Sequence, residues 1–254
     1  MRLIVGLIMI LFSLFSYCGS REYNAVTGSH QYIGLTARQE VALGVQSVPE
    51  MLKQFGGLHP DARLQDKVDR VGMAVVSRSR ADDPRWQYEF HLLNDSKTIN
   101  AFALPGGQIF ITNGLYRLFT TSDQLAAVLA HEIAHVAARH SAQRIAKSKL
   151  TNGLLNAVMV GSGDATVAQI TALAGQLVNM KFSREDEVEA DRLGVFFMTD
   201  AGFDPNGMVE LMEVLEKSGG GAKMPEFFST HPSPDNRIEK IRQAIAEYAP
   251  IPEG

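Results

Sequence analysis

The run His131-Glu132-Ile133-Ala134-His135 sits inside a stretch, Leu125 to Val136, that is otherwise almost wholly apolar. Residues four apart on an α-helix lie about one turn apart on nearly one face, so both imidazoles can reach a single ion. Glu132 is offset by about 100° around the helix, beside such an ion instead of on it. The bland alternative is a polar helix face that happens to carry two histidines. Leu125, Val128, Leu129 and Val136 weigh against it, because they make the helix semi-buried, where paired histidines need a partner. The spacing therefore predicts a metal site with a carboxylate placed to take a proton from water.

Two histidines do not complete a catalytic zinc site, which needs a third protein ligand and one open position. The segment Ser183-Arg184-Glu185-Asp186-Glu187-Val188-Glu189-Ala190-Asp191 supplies carboxylates on a second predicted helix. Glu187 and Asp191 share a face, so one can bind metal while the other orients a ligand histidine. Spacing alone leaves Glu185, Glu187 and Glu189 all open as the third ligand. Without the upstream pentapeptide, this acidic cluster would read as a solvated helix face with Arg184 and Arg192 as partners.

The 254 residues suffice for a real core, and 45% hydrophobic with 20% charged residues is a globular balance. A formal net charge of -4 with no long block of one sign argues against nucleic acid as a partner. After Arg2, Leu3 to Phe15 is an apolar run of export-signal length. It is shorter than the roughly 20 residues a transmembrane helix needs. Cys18 is the only cysteine, so no intramolecular disulfide can form. Its place resembles a lipoprotein processing site, although Phe15 and Tyr17 stand where Leu and a small residue are preferred. Residues 1–18 are thus expected to be an export signal of lipoprotein type, 19–34 a tether, and 35–254 one domain.

Periodicity predicts helices over Thr36 to Gln54, interrupted near Pro49, and over Asp61 to Ser79. Trp86 to Leu93 reads as a strand, and Thr98 to Leu104 with Gln108 to Thr112 as a hairpin around Pro105-Gly106-Gly107. Thr121, followed by Gln124, opens a helix expected to run to about Ser148. Gly153 to Thr166 is Gly-rich, and Val167 to Thr199 reads as a helix bent near Ser183. Asn206 to Lys217 and Pro234 to Tyr248 hold further helices, with Gly219-Gly220-Gly221 a flexible joint between them. The fold class expected is α+β: one mostly helical domain with a small antiparallel sheet. On an unbroken helix His140 would face away from His131, and it is not expected to be a ligand. His30, His59 and His91 belong to no motif.

Three segments together resemble metallopeptidase family forty-eight: His131 to His135, Ser183-Arg-x-x-Glu187-x-Glu-Ala-Asp191-x-x-Gly194, and Thr230-His231-Pro-x-Pro-x-x-Arg237-Ile238. That family includes CAAX prenyl proteases, HtpX and OMA membrane proteases and BepA-like quality-control proteases. Asn100 to Gly107 is similar to the strand that precedes its active helix, and the likeness covers most of residues 35–245. The resemblance implies a zincin-like fold and one zinc per chain, held by His131, His135 and Glu187. It implies Glu132 as catalytic base and Asp191 as the acidic residue often assigned proton transfer. His231 and Arg237 are candidates to meet the substrate oxyanion, and His231 also to fill the open zinc position; a helix-capping loop is the alternative. Asn100 to Ala103 could pair with an extended substrate. The implied activity is zinc-dependent peptide hydrolysis on unfolded or misassembled envelope proteins. The expected setting is the periplasm, with an outer-membrane lipid anchor at Cys18 and outer-membrane assembly machinery as a possible partner. A zinc-stabilised chaperone or assembly factor with little proteolysis is the competing expectation.

Overall fold

A computed structural model describes residues 15–151, 181–218 and 225–248. Strand β1 (Arg21–Asn24) pairs antiparallel with β2 (Ser29–Tyr32), Arg21 opposite Tyr32 and Asn24 opposite Ser29. The segment expected to be a tether is therefore largely a hairpin. Polar groups hold it: the Asn24 side-chain amide donates to the carbonyl of Ala137 at 2.8 Å, and that of Gln31 to Ala138 at 3.0 Å. These are the last carbonyls of the central helix, which lack partners within the helix.

Helix α1 (Ala37–Gln54) starts from a capping box between Thr36 and Gln39 and continues through Pro49, contrary to the expected interruption. Burial of Ser47 and Met51 on either side holds the helix across the missing donor. Helix α2 (Ala62–Ser77) is capped by Asp61. Strands β3 (Glu89–Leu93), β4 (Ala101–Ala103) and β5 (Gln108–Thr112) form one sheet in the order β3-β5-β4. β4 and β5 make the expected antiparallel hairpin, but β3 runs parallel to β5, Glu89 opposite Gln108, so the sheet is mixed. Gly107 turns the hairpin at φ 119°, where a Cβ would stand 2.5 Å from the Gln87 carbonyl oxygen.

After the short α3 (Asn113–Tyr116) comes α4 (Ser122–Ala137), then α5 (His140–Thr151). The helix expected to run unbroken to Ser148 stops because Arg139 adopts a left-handed φ of 57°. Its guanidinium is anchored there, donating to Glu40 at 2.6 and 2.9 Å and to the Leu35 carbonyl at 2.9 Å. Helices α6 (Arg184–Asp200), α7 (Asn206–Ser218), α8 (Phe227–Thr230) and α9 (Arg237–Glu247) complete the described chain. α6 begins afresh from a capping box between Ser183 and Asp186, not as the bend of a longer helix. The start of that longer helix, the Gly153 to Thr166 stretch, the Gly219-Gly220-Gly221 joint and most of the leader lie outside the described residues. Among the described residues no helix is long and apolar enough to cross a membrane.

Leu125, Leu129 and Ile133 of α4 are buried in one core with Val68 and Val75 of α2, Ile109 and Ile111 of β5, Phe197 of α6 and Leu211 of α7. From Gln124 to Ala137 α4 is thus covered all round, the place of a helix at the centre of a domain. At Gly194 a Cβ would lie 2.8 Å from Met208 Cε and 3.4 Å from the His131 backbone nitrogen. The glycine lets α6 approach α4 closely at the level of the histidines.

Candidate metal centre

α4 starts where Thr121 accepts from the Gln124 backbone, and Gln124 Oε1 accepts in turn from Thr120. Two turns on, His131 and Glu132 are fully buried and His135 nearly so. α6 brings Glu187 against them and the C-cap of α8 brings His231, both fully buried. His131 Nε2 lies 3.0 Å from His135 Nε2, 3.3 Å from His231 Nδ1 and 3.4 Å from a Glu187 oxygen. Glu187 is also 3.5 Å from His135 Nε2 and 3.1 Å from His231 Nδ1. These four ligand atoms all lie within 4.8 Å of one another.

Such a cluster is costly unless something positive joins it. Both Glu132 oxygens, Glu187 Oε2 and His231 Nε2 are buried without a hydrogen-bond partner. Three buried carboxylates, Glu132, Glu187 and Asp191, face one guanidinium, Arg237, whose Nη2 is 3.2 Å from Glu187. With the histidines neutral, as ligands must be, and all three carboxyls ionised, the balance is two negative charges, which one divalent cation would neutralise. Distances support the same reading: tetrahedral bonds of about 2.0–2.1 Å place ligand atoms about 3.3–3.4 Å apart. The residues present fit a metal ion.

Asp191 sits behind His131, its Oδ1 2.9 Å from His131 Nδ1. Arg237 clamps that carboxylate, Nε donating to Oδ2 at 2.7 Å and Nη2 to Oδ1 at 2.8 Å. Burial alone would drive His131 down, but Asp191 and Glu187 outweigh it and hold its pKa up, at about 9. His135, buried with less anionic support, falls well below the ordinary histidine value. Burial raises Glu132. It also opposes ionisation of Glu187 and Asp191, yet the histidines around the former and Arg237 beside the latter keep both carboxyls below their usual range. The metal-free centre thus draws in positive charge, through protonation if nothing else.

All seven residues expected at the site, His131, Glu132, His135, Glu187, Asp191, His231 and Arg237, converge in one buried cluster. Of the three acidic residues left open on α6, Glu187 enters the cluster, whereas Glu185 is exposed and Glu189 turns toward His140. His140 does not face away as an unbroken helix would have it. The break at Arg139 folds it back, and its Nδ1 lies 2.8 Å from His135 Nδ1. Sequence reasoning also missed Phe182, which stacks on His135 at 3.9 Å between ring centres, and Phe227, stacked on His231 at 4.4 Å. No periodic signal marks either, since one lies just ahead of α6 and the other in a single helical turn.

Residues 59–245 match the model of Peptidase family M48. The chain is 32% identical over 240 residues to mitochondrial metalloendopeptidase OMA1 of Schizosaccharomyces pombe, covering 89% of this chain and 67% of that one. Against the β-barrel assembly-enhancing protease of Escherichia coli K12 it is 32% identical over 227 residues, 85% of this chain but 46% of the relative. OMA1 of Saccharomyces cerevisiae is 31% identical over 233 residues, 85% of this chain and 66% of that one. The chain therefore spans about half the length of the β-barrel assembly-enhancing proteases it matches.

Proposed function

Because the chain belongs to peptidase family M48, we propose that it is a zinc-dependent endopeptidase in which His131, His135 and Glu187 would hold the ion and Glu132 is the general base. The observation that carries this reading is the buried convergence of His131, His135, Glu187 and His231, with Glu187 Oε2 and both Glu132 oxygens left without a donor. Bound zinc supplies Lewis acidity, which polarises a scissile carbonyl and acidifies water. Glu132, with both oxygens unpartnered, takes the proton from the attacking water and passes it to the leaving amine. Asp191 holds the His131 ring in the tautomer that presents Nε2 to the ion, and Arg237 holds Asp191. Arg237 Nη1, buried and without a partner, supports a role as donor to the substrate oxyanion. β4 is the outer strand of its sheet, which suits pairing with an extended substrate.

The names of the relatives support a role in protein quality control. Substrates would be unfolded or misassembled envelope proteins, met in the periplasm by a protein anchored to the outer membrane through a lipid at Cys18, next to the assembly machinery. A second reading, a zinc-stabilised chaperone or assembly factor, is favoured by one observation. His231 Nδ1 lies 3.3 Å from His131 Nε2 and 3.1 Å from Glu187 Oε1, and as a fourth protein donor it would close the site as in a structural one. Glu132 weighs against it, since a structural site has no use for a base.

Casein digestion tests the choice. The wild type should cleave, a chelator should stop it, and zinc should restore it. Glu132→Gln should keep the metal and lose about 10²–10⁴-fold in rate; chelator-insensitive cleavage, or an unchanged Glu132→Gln, would sink the proposal. In the same assay His231→Ala should raise basal cleavage if the imidazole masks the ion, and lower it if it serves the oxyanion.

A further inference from the structure

We propose that His140 and Glu189 are positioning residues for His135, forming a hydrogen-bonded relay that fixes which nitrogen of His135 faces the metal. The inference rests on the zinc-site reading above. His140 is almost completely buried. The left-handed Arg139 turns it under α4, where its Nδ1 lies 2.8 Å from His135 Nδ1 and its Nε2 3.0 Å from Glu189 Oε2.

Proton positions follow outward from the donor cluster. His135 Nε2 faces His131 and Glu187, so as a ligand it must offer its lone pair there. A neutral imidazole carries one N–H, which then sits on Nδ1 and can only donate to His140 Nδ1. His140 must accept at Nδ1, so its own hydrogen sits on Nε2 and donates to the Glu189 carboxylate. Each bond dictates the next, and the chain ends on an acceptor that cannot reverse it. Phe182 stacks against the His135 ring, so a hydrogen bond at Nδ1 completes the set of contacts that stop it turning. A histidine that merely filled space would need neither of its two polar contacts. α4 thus has two histidines, each braced at Nδ1: His131 by Asp191, His135 by this relay.

The test uses the full chain and zinc in competition with a chromophoric chelator. His140→Leu should weaken zinc binding by about 10–100-fold, the effect usual for loss of a ligand's outer partner. His140→Gln, whose side-chain oxygen can accept from Nδ1–H, should recover most of it. Glu189→Ala should cost only about two- to fivefold, because water can reach its side chain, which is 38% exposed. In imidazole ¹H–¹⁵N spectra of the zinc-loaded wild type, His135 should carry its proton on Nδ1. Unfolding of the metal-free variants separates lost affinity from lost fold, and the wild-type spectrum decides if His140→Leu does not fold. Affinity of His140→Leu within twofold of wild type, a His140→Gln as weak as His140→Leu, or a His135 proton on Nε2 would overturn the relay while leaving the zinc site standing. A wild type that takes up no zinc would overturn both.

Discussion

His131 and His135 stand one turn apart on the same helix, yet opposite kinds of chemistry brace them. Behind His131 lies an ionic clamp, Asp191 with Arg237, buried on every side and joining α4, α6 and α9. Behind His135 lies His140, neutral in the relay described above, backed by a Glu189 that reaches water. A buried ion pair costs little while complete and a great deal when half of it is removed. A neutral relay with a wet end loses less. The first side therefore ties metal binding to the fold itself, whereas the second adjusts the metal without endangering the domain.

The largest effect should come from breaking the ionic side. Arg237→Met strips the guanidinium from Asp191 and Glu187 and leaves two buried carboxylates with only the His131 ring between them. The metal-free protein should lose about 3–5 kcal/mol in urea unfolding. A loss below about 1 kcal/mol would mean that the two sides are braced alike.

The His135 side has its own anchor, Arg139 with Glu40, one residue before His140, and it titrates. Burial pushes the Glu40 carboxyl up to about 7 from the ordinary 4.5, against the pull of Arg139; Glu22 adds to the rise and Arg85 opposes it. The folded protein therefore holds this proton more tightly than the unfolded chain. The stability it contributes is complete below about pH 4.5 and lost as pH rises through about 7. Relative to Glu40→Gln, which does not titrate, the wild type should lose about 3 kcal/mol of unfolding free energy across that window. Parallel pH profiles for the two proteins would show that Arg139 keeps Glu40 ionised throughout.

The same contrast explains what could be read from the residues in order. The His131 side was legible in its helical members, His131, Glu187 and Asp191 one turn beyond it, whereas Arg237 was expected at the oxyanion and not as the clamp on Asp191. Helical spacing converts directly into a shared face. The His135 side was not, because it depends on a break at Arg139 that no glycine or proline announces. A buried partner 99 residues away, Glu40, holds that backbone conformation. The third ligand shows the limit of spacing within the motif itself, since Glu185, Glu187 and Glu189 differ only in which way α6 is turned. In the fold, the β4–β5 hairpin was visible from Pro105-Gly106-Gly107, whereas the parallel pairing of β3 depends on how distant segments pack. The β1–β2 hairpin has no apolar alternation to reveal it. Its order comes from Asn24 and Gln31 completing the end of α4, a contact more than 100 residues apart.

The most direct test of the account is zinc per chain in the purified wild type and in Glu187→Gln, measured after equilibration with a limiting chelator. The wild type should hold one zinc, and Glu187→Gln should lose it once His231→Ala is added, because His131, His135 and His231 together would otherwise offer a three-histidine set. Full occupancy in the double variant would remove Glu187 from the metal, and a wild type without zinc would contradict the account at its centre.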